Sequence, residues 1–251
     1  MTAPADGVNR LATPTVRNRL LSALLRGAYN HLATKLERVT LTLGTVLYQP
    51  DLPIEYVYFP EDAVVSLLAV MVDGDTCEVG LIGKEGMLGI QVFLGATTQP
   101  ETAIVQIAGT AMRMKADSLR QELRLGSPLQ QLLLRYTQTL LAVIRQSAAC
   151  NGRHTVEQRL ARWLLQMYDY VGTETLQFTH EFLSMMVGNR RASVTVAARH
   201  LQAIGVITYE PGRITLLDRL GLEAAACECY GKIHREDEAF HADIPGLLAS
   251  L

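Results

Sequence analysis

Few cysteines, little net charge and no long apolar run characterise this chain, and each shortage excludes a class of protein. Its 251 residues hold four cysteines, Cys77, Cys150, Cys227 and Cys229. They are too few and too scattered for a disulfide framework. A net charge of −2 rules out a polycation that coats nucleic acid by bulk charge. The longest apolar run, Ala63 to Val72, is too short to span a bilayer and contains Ser66. Leu20 to Leu25 is cut by Ser22 and closed by Arg26, so no signal peptide is read there. The expectation is a reduced, cytoplasmic protein with no membrane partner. No cysteine precedes Cys77, and Gly80, Gly83, Gly86 and Gly89 form a series that does not match a dinucleotide fingerprint.

What is present is organised around Phe178 to Leu216. Leu183, Val187, Val194, Ala197 and Leu201 recur at helical spacing, and Val187-Gly188-Asn189 between them suits a tight turn. Two short helices around such a turn make a helix-turn-helix. Thr179 is placed to cap the first helix, with His180 beside it. The second helix, starting near Arg190, carries Arg190, Arg191, Ser193, Thr195 and Arg199 off the apolar stripe. Arginine can bond guanine O6 and N7 together, and small hydroxyls approach phosphates or bases. Val206 to Tyr209 and Ile214 to Leu216 then read as a hairpin, with Arg213 at its tip, of the size of a wing. Four arginines face only Glu181 and Glu210 in this stretch, a local excess compatible with DNA.

Upstream, Met1 to Thr15 lacks periodicity and reads as a flexible tail. Short helices are expected over Val16 to Leu25 and Tyr29 to Leu36. From Val39 the period becomes two, and short strands follow at Val46 to Tyr48, Tyr56 to Phe59, Val64 to Val72, Cys77 to Ile82 and Ala103 to Met114. This spacing indicates an antiparallel barrel or sandwich over residues 16–120.

Ser127-Pro128 opens a long helix, giving a dimerisation segment over residues 121–150. Its seam, Leu129, Leu133, Tyr136, Leu140 and Val143, continues to Ser147 at alternating steps of four and three. The alternative is that this seam packs on the chain's own barrel.

Cys150-Asn151-Gly152-Arg153 reads as a hinge. A third helix, Thr155 to Tyr170, then packs under the helix-turn-helix within a DNA-binding domain of residues 151–230. Thr175 to Phe178 is a short strand that can join the wing, and Asp218 opens a helix running to Tyr230. Residues 231–251 read as a C-terminal tail.

The order of barrel, long helix and winged helix-turn-helix resembles the Crp/Fnr family of bacterial transcription regulators. The resemblance covers about residues 16 to 230. It rests on GTVLYQPDLPIEYVYFPEDAVVSLL (44–68), VGLIGKEGMLGIQVFLG (79–95), ACNGRHTVEQRLARWLL (149–165) and FLSMMVGNRRASVTVAARHLQAIGVI (182–207). AACNGRH and AAACECY resemble a widespread subgroup of that family. The resemblance implies an α+β fold: an antiparallel double-stranded β-helix of the cyclic-nucleotide-binding type, a dimerisation helix and a winged helix-turn-helix. It also implies a homodimer on a two-fold-symmetric promoter site, with double-stranded DNA and RNA polymerase as partners and a small-molecule effector in the barrel.

Two departures from the family pattern stand out. Arg191 matches the reading face, whereas Ala192 and Val196 replace a glutamate and an arginine and can touch only a thymine methyl. In the effector pocket, Gly89-Ile90 stands where the family pairs Gly with Glu, and Glu101-Thr102 where it pairs Arg with Ser or Thr. Ile90 cannot accept a ribose hydroxyl and Glu101 repels a phosphate, so cyclic nucleotide in the usual mode is not expected.

No cofactor or metal is expected either. Cys227-x-Cys229 with His234 and His241 matches no closed zinc spacing, and burial as small apolar side chains is the simpler role. Cys150 and His154 would share a helix face, but Asn151-Gly152 is expected to break that helix, and no third group orients a catalytic pair. An enzyme is therefore not expected. The competing reading is a barrel-based effector-sensing or interaction module whose helix-turn-helix has lost specific DNA binding.

Overall fold

The computed structural model describes residues 16–249 apart from 25, 124–125, 179 and 211, and leaves the side chains of 26, 180–181 and 245–249 undescribed. The expected tail over Met1 to Thr15 lies outside the described residues.

Two short helices, α1 (Arg19–Ala23) and α2 (Arg26–Ala33), lead into the strands. Buried Asn18 caps α1 by accepting from the Leu21 amide, and its own amide donates to the carbonyls of Pro60 and Gly86, both at 2.9 Å. The strands are β1 (Glu37–Leu41), β2 (Val46–Tyr48), β3 (Tyr56–Pro60), β4 (Val64–Val70) and β5 (Thr76–Ile82). After the single turn α3 (Ile90–Phe93) come β6 (Thr102–Ile107) and β7 (Gly109–Lys115). They form two facing antiparallel sheets, in the orders β1-β7-β3 and β2-β6-β4-β5.

The run expected as one strand from Ala103 to Met114 is two strands in different sheets. Gly109 makes the switch: a Cβ there would lie 2.6 Å from the Ala63 amide nitrogen, so only glycine lets the chain pass this backbone.

Helix α4 (Ala116–Glu122) packs against β3 and β7, and α5 (Pro128–Arg153) follows. Ser127 caps α5 through its side chain and Pro128 occupies the first turn, as expected. Contrary to the sequence reading, Asn151-Gly152 does not interrupt α5, which ends only at His154. A glycine in the last turn costs about 1 kcal/mol of propensity, too little to break a helix packed on its neighbours.

Most of the expected dimer seam packs within the chain. Leu129, Leu133 and Tyr136 are buried in the chain's own core, and Leu140 packs against it. The Tyr136 hydroxyl donates to the Met87 carbonyl at 3.3 Å, and its ring lies 6.3 Å from that of Phe240. Val143 borders a groove shared with Ile233 of the C-terminal helix. The large apolar side chains that α5 leaves exposed are Leu134, Leu141 and Ile144, one position further along the same repeat.

The remaining elements are α6 (Val156–Val171), β8 (Thr175–Leu176), α7 (His180–Val187), α8 (Arg191–Ala203), β9 (Ile207–Glu210), β10 (Arg213–Leu216), α9 (Arg219–Ala225) and α10 (Cys229–Ala249). Helix α6 begins in a capping box between Thr155 and Gln158. Its face, with Leu160, Trp163, Leu164 and Met167, fills a second core with Phe178, Leu183, Val194 and Leu201.

The helix expected from Asp218 to Tyr230 is broken, because Ala226 is extended and Cys227-Glu228 lie between α9 and α10. Residues 231–249, expected as a tail, instead belong to α10. It packs antiparallel on α5, with Phe240 and Ile244 in the barrel core and an Arg135–Asp243 ion pair at 2.8 Å. Among the described residues, no helix is long and apolar enough to cross a membrane.

A buried polar contact joins the two cores. The Trp163 indole donates to Glu78 at 2.9 Å, and Ser66 Oγ lies 2.8 Å from both Glu78 and Gln106. Burial pushes the Glu78 carboxyl up to about 8. A group raised in the folded state contributes stability that is full below its unfolded pKa of about 4.3 and is lost as pH rises through the folded value. Thermal melts should therefore show stability falling from pH 5 to 8, and Glu78→Gln, which stays neutral, should flatten that slope. An unchanged slope would remove Glu78 as its source.

Candidate nucleic-acid interface

The helix-turn-helix consists of α7 and α8 joined through Gly188 at φ +59°. That left-handed geometry is what the sequence assigned to Gly188. The Asn189 side chain accepts from the Arg190 amide at 2.9 Å and steadies the start of α8, where Arg190 is the N-cap. The apolar stripe is buried throughout: Leu183, Val187, Val194, Ala197 and Leu201.

The opposite face of α8 exposes Arg190, Arg191, Ala192, Val196 and Arg199, with Ser193 and Thr195 half-buried. The Thr195 hydroxyl donates back to the Arg191 carbonyl at 2.9 Å. Val196 is 67% exposed, an unusual position for a β-branched apolar side chain in mid-helix. His200 faces elsewhere and pairs with Glu157 of α6 at 2.7 Å.

The wing is a three-stranded sheet in the order β8-β10-β9, so the short strand near Thr175 does join it. Arg213 sits at its tip, exposed and opposite Glu210. Arg190, Arg191 and Arg199 are thus exposed on α8, Ser193 and Thr195 lie on its half-buried flanks, and Arg213 is exposed on the wing. Thr179 lies outside the described residues, as does the His180 side chain.

The start of α8 opens onto a cleft of about 700 Å³ between the helix-turn-helix and the β4–β5 hairpin, lined in part by Asp75, Cys77, Asn189, Arg190 and Arg191. Contact here is close: a Cβ on Gly188 would lie 2.6 Å from Cys77 Sγ. Sequence reasoning missed Arg159, since an arginine beneath an apolar helix reads as solvated. It is buried, and it donates to the Asn151 carbonyl at 3.2 Å and to the Gly188 carbonyl at 3.3 Å, tying the turn to the end of α5.

The four effector-pocket candidates do not converge on a polar cradle. Gly89 adopts φ +94° with Tyr48 and Val57 packed against it, and Ile90 is buried in the barrel core. Glu101 and Thr102 stand at the start of β6, half-buried.

Fold and surface together define a protein with a double-sheet barrel, a long connecting helix and a winged helix-turn-helix. Residues 158–225 match the Crp-like helix-turn-helix domain. FixK2 from Bradyrhizobium japonicum superposes with a TM-score of 0.65 at 18% identity, over 76% of this chain and 98% of that one. TTHA1359, a CRP/FNR-family transcriptional regulator from Thermus thermophilus, gives 0.61 at 23% identity over 76% and 98%. The c-di-GMP-responsive global regulator CLP from Xanthomonas campestris gives 0.61 at 18% over 76% and 98%. No curated protein matches the chain in sequence. The chain has the fold of these Crp/Fnr regulators and carries a Crp-like helix-turn-helix domain.

Adding a methyl group at Gly188 tests the turn. A left-handed alanine costs about 1–2 kcal/mol, so urea unfolding of Gly188→Ala should show a loss of that order. Cys77→Ala in the same background should recover the part due to crowding. Wild-type stability in Gly188→Ala would contradict the described turn.

Proposed function

We propose that this protein is a sequence-specific DNA-binding transcription regulator that acts as a homodimer on a two-fold-symmetric promoter site. The observation that carries the reading is the division of α8 into two faces. Val194, Ala197, Ala198 and Leu201 are buried on one, and Arg190, Arg191, Val196 and Arg199 are exposed on the other. A helix seated this way presents its N-terminal half to a major groove. Arg191 is the base reader, Ala192 and Val196 meet thymine methyl groups, and Arg190, Ser193, Thr195 and Arg199 serve bases or phosphates. Arg213 on the wing contacts the backbone.

Dimerisation falls to the exposed stripe Leu134, Leu141 and Ile144 on α5. Its steps of seven and three residues keep the three side chains on one face. The barrel does not take cyclic nucleotide in the usual mode, because Ile90 is committed to the core and Glu101 opposes a phosphate. Its effector is a different small molecule, and RNA polymerase is the partner through which a bound dimer acts.

Binding to promoter DNA should weaken steeply with added salt as phosphate contacts release counterions. Arg191→Ala should cost about 1–3 kcal/mol at the preferred site and relax discrimination there, read by footprinting and anisotropy. Equal affinity and unchanged footprints for that variant would contradict the assignment. Leu141→Glu should shift sedimentation toward monomer with the fold intact. A dimer that persists would place the interface elsewhere.

A further inference from the structure

At the C-terminal end of α5, four side chains from two distant segments meet. Cys150 and His154 lie one helical turn apart, on the face that the unbroken helix creates. Cys227 and Cys229 come from the α9–α10 junction, where the extended Ala226 interrupts the expected helix. The three sulfurs and one imidazole nitrogen all lie within 4.8 Å of one another. Cys150 Sγ is 3.4 Å from Cys227 Sγ, and Cys229 Sγ is 3.6 Å from His154 Nδ1. All three cysteines are buried.

We propose that Cys150, His154, Cys227 and Cys229 form a structural zinc site. Tetrahedral zinc with Zn–S near 2.3 Å and Zn–N near 2.0–2.1 Å requires S···S of about 3.8 Å and S···N of about 3.6 Å. The Cys150–Cys227 and Cys229–His154 separations of 3.4 and 3.6 Å lie within a few tenths of an ångström of these values, and the limit of 4.8 Å on the rest asks for shifts of about 1 Å at most. A multi-iron cluster needs its thiolates spread more widely than this.

The surroundings are those of a metal centre. His154 faces Cys229 through Nδ1 and pairs through Nε2 with Glu228 at 3.2 Å, the carboxylate–histidine arrangement that orients a ligating imidazole. The Gln146 amide donates to Cys229 Sγ at 3.0 Å, as hydrogen bonds to a ligating thiolate do. Zinc binding sends three thiol protons to solvent and leaves a centre of net charge −1. Two buried arginines, Arg159 and Arg162, lie within electrostatic reach of Cys150.

The site clasps the end of α5 to the start of α10. Arg159 hangs the helix-turn-helix turn from that same end of α5, through Asn151 and Gly188. The zinc assignment does not depend on DNA binding. The ligand set excludes His234, which stacks on Tyr230, and His241, which pairs with Asp237, although both are nearer to Cys229 in sequence.

The test is metal analysis of the full-length chain, purified reduced and without chelator, followed by cobalt substitution of the stripped protein. One zinc per chain, and the intense visible absorption of tetrahedral thiolate-bound cobalt, are expected. Cys150→Ser and Cys229→Ser should each abolish stoichiometric binding, and Cys77→Ser should not. Glu228→Gln, which keeps every ligand, should weaken zinc affinity about 10-fold or more in chelator competition. Substoichiometric zinc in the reduced chain, an iron–sulfur chromophore, a Cys150–Cys227 disulfide in its place, or an unaltered cobalt spectrum in Cys229→Ser would each overturn the proposal.

Discussion

The continuity of α5 is the constraint on which the rest of the structure depends. Over 26 residues one helix presents three faces. Leu132, Leu133 and Tyr136 seat it in the barrel, α10 lies antiparallel along a second face, and Leu134, Leu141 and Ile144 remain open on a third. Its last turn carries Cys150 and His154 toward the α9–α10 junction. Had Asn151-Gly152 broken the helix, those two side chains would not share a face, and the Asn151 carbonyl would not stand where Arg159 reaches it. The weak helix propensity of Gly152 is outweighed by the packing around it.

The barrel and the DNA-binding domain are joined by side chains rather than by a linker alone. Trp163 reaches Glu78, Ser66 lies against Met186, and the Gly188 turn sits on Cys77. Each contact couples a strand of the four-stranded sheet to the helix-turn-helix or its supporting helix. In this arrangement the first residues of α8 look into the cleft beneath the β4–β5 hairpin, so the position of that hairpin bears directly on access to Arg190 and Arg191.

Local features were legible in the sequence. The stripe of Leu183, Val187, Val194, Ala197 and Leu201, the Gly188 turn, the Ser127-Pro128 cap and the wing strands follow from periodicity and turn chemistry, which act over a few residues. The burial of Leu129, Leu133 and Tyr136 within the chain was not legible, because a three-four repeat fits two adjacent faces of a helix and only tertiary packing chooses between them. The strand switch at Gly109 depends on backbone approach from elsewhere in the chain. The Cys150–Cys227 contact joins residues 77 apart in sequence, and no local spacing rule reaches that far. Glu101 and Ile90 were legible as departures from a resemblance, but their surroundings came only from the fold.

The central claim is that the exposed face of α8 reads DNA in a symmetric dimer. Selecting bound duplexes from a random pool with the reduced, full-length protein tests it most directly. The account predicts enrichment of a palindrome whose half-sites are centred about one helical turn, roughly 10 base pairs, apart. Failure of a dimeric, folded preparation to enrich any sequence at low salt, with the barrel present or removed, would contradict it.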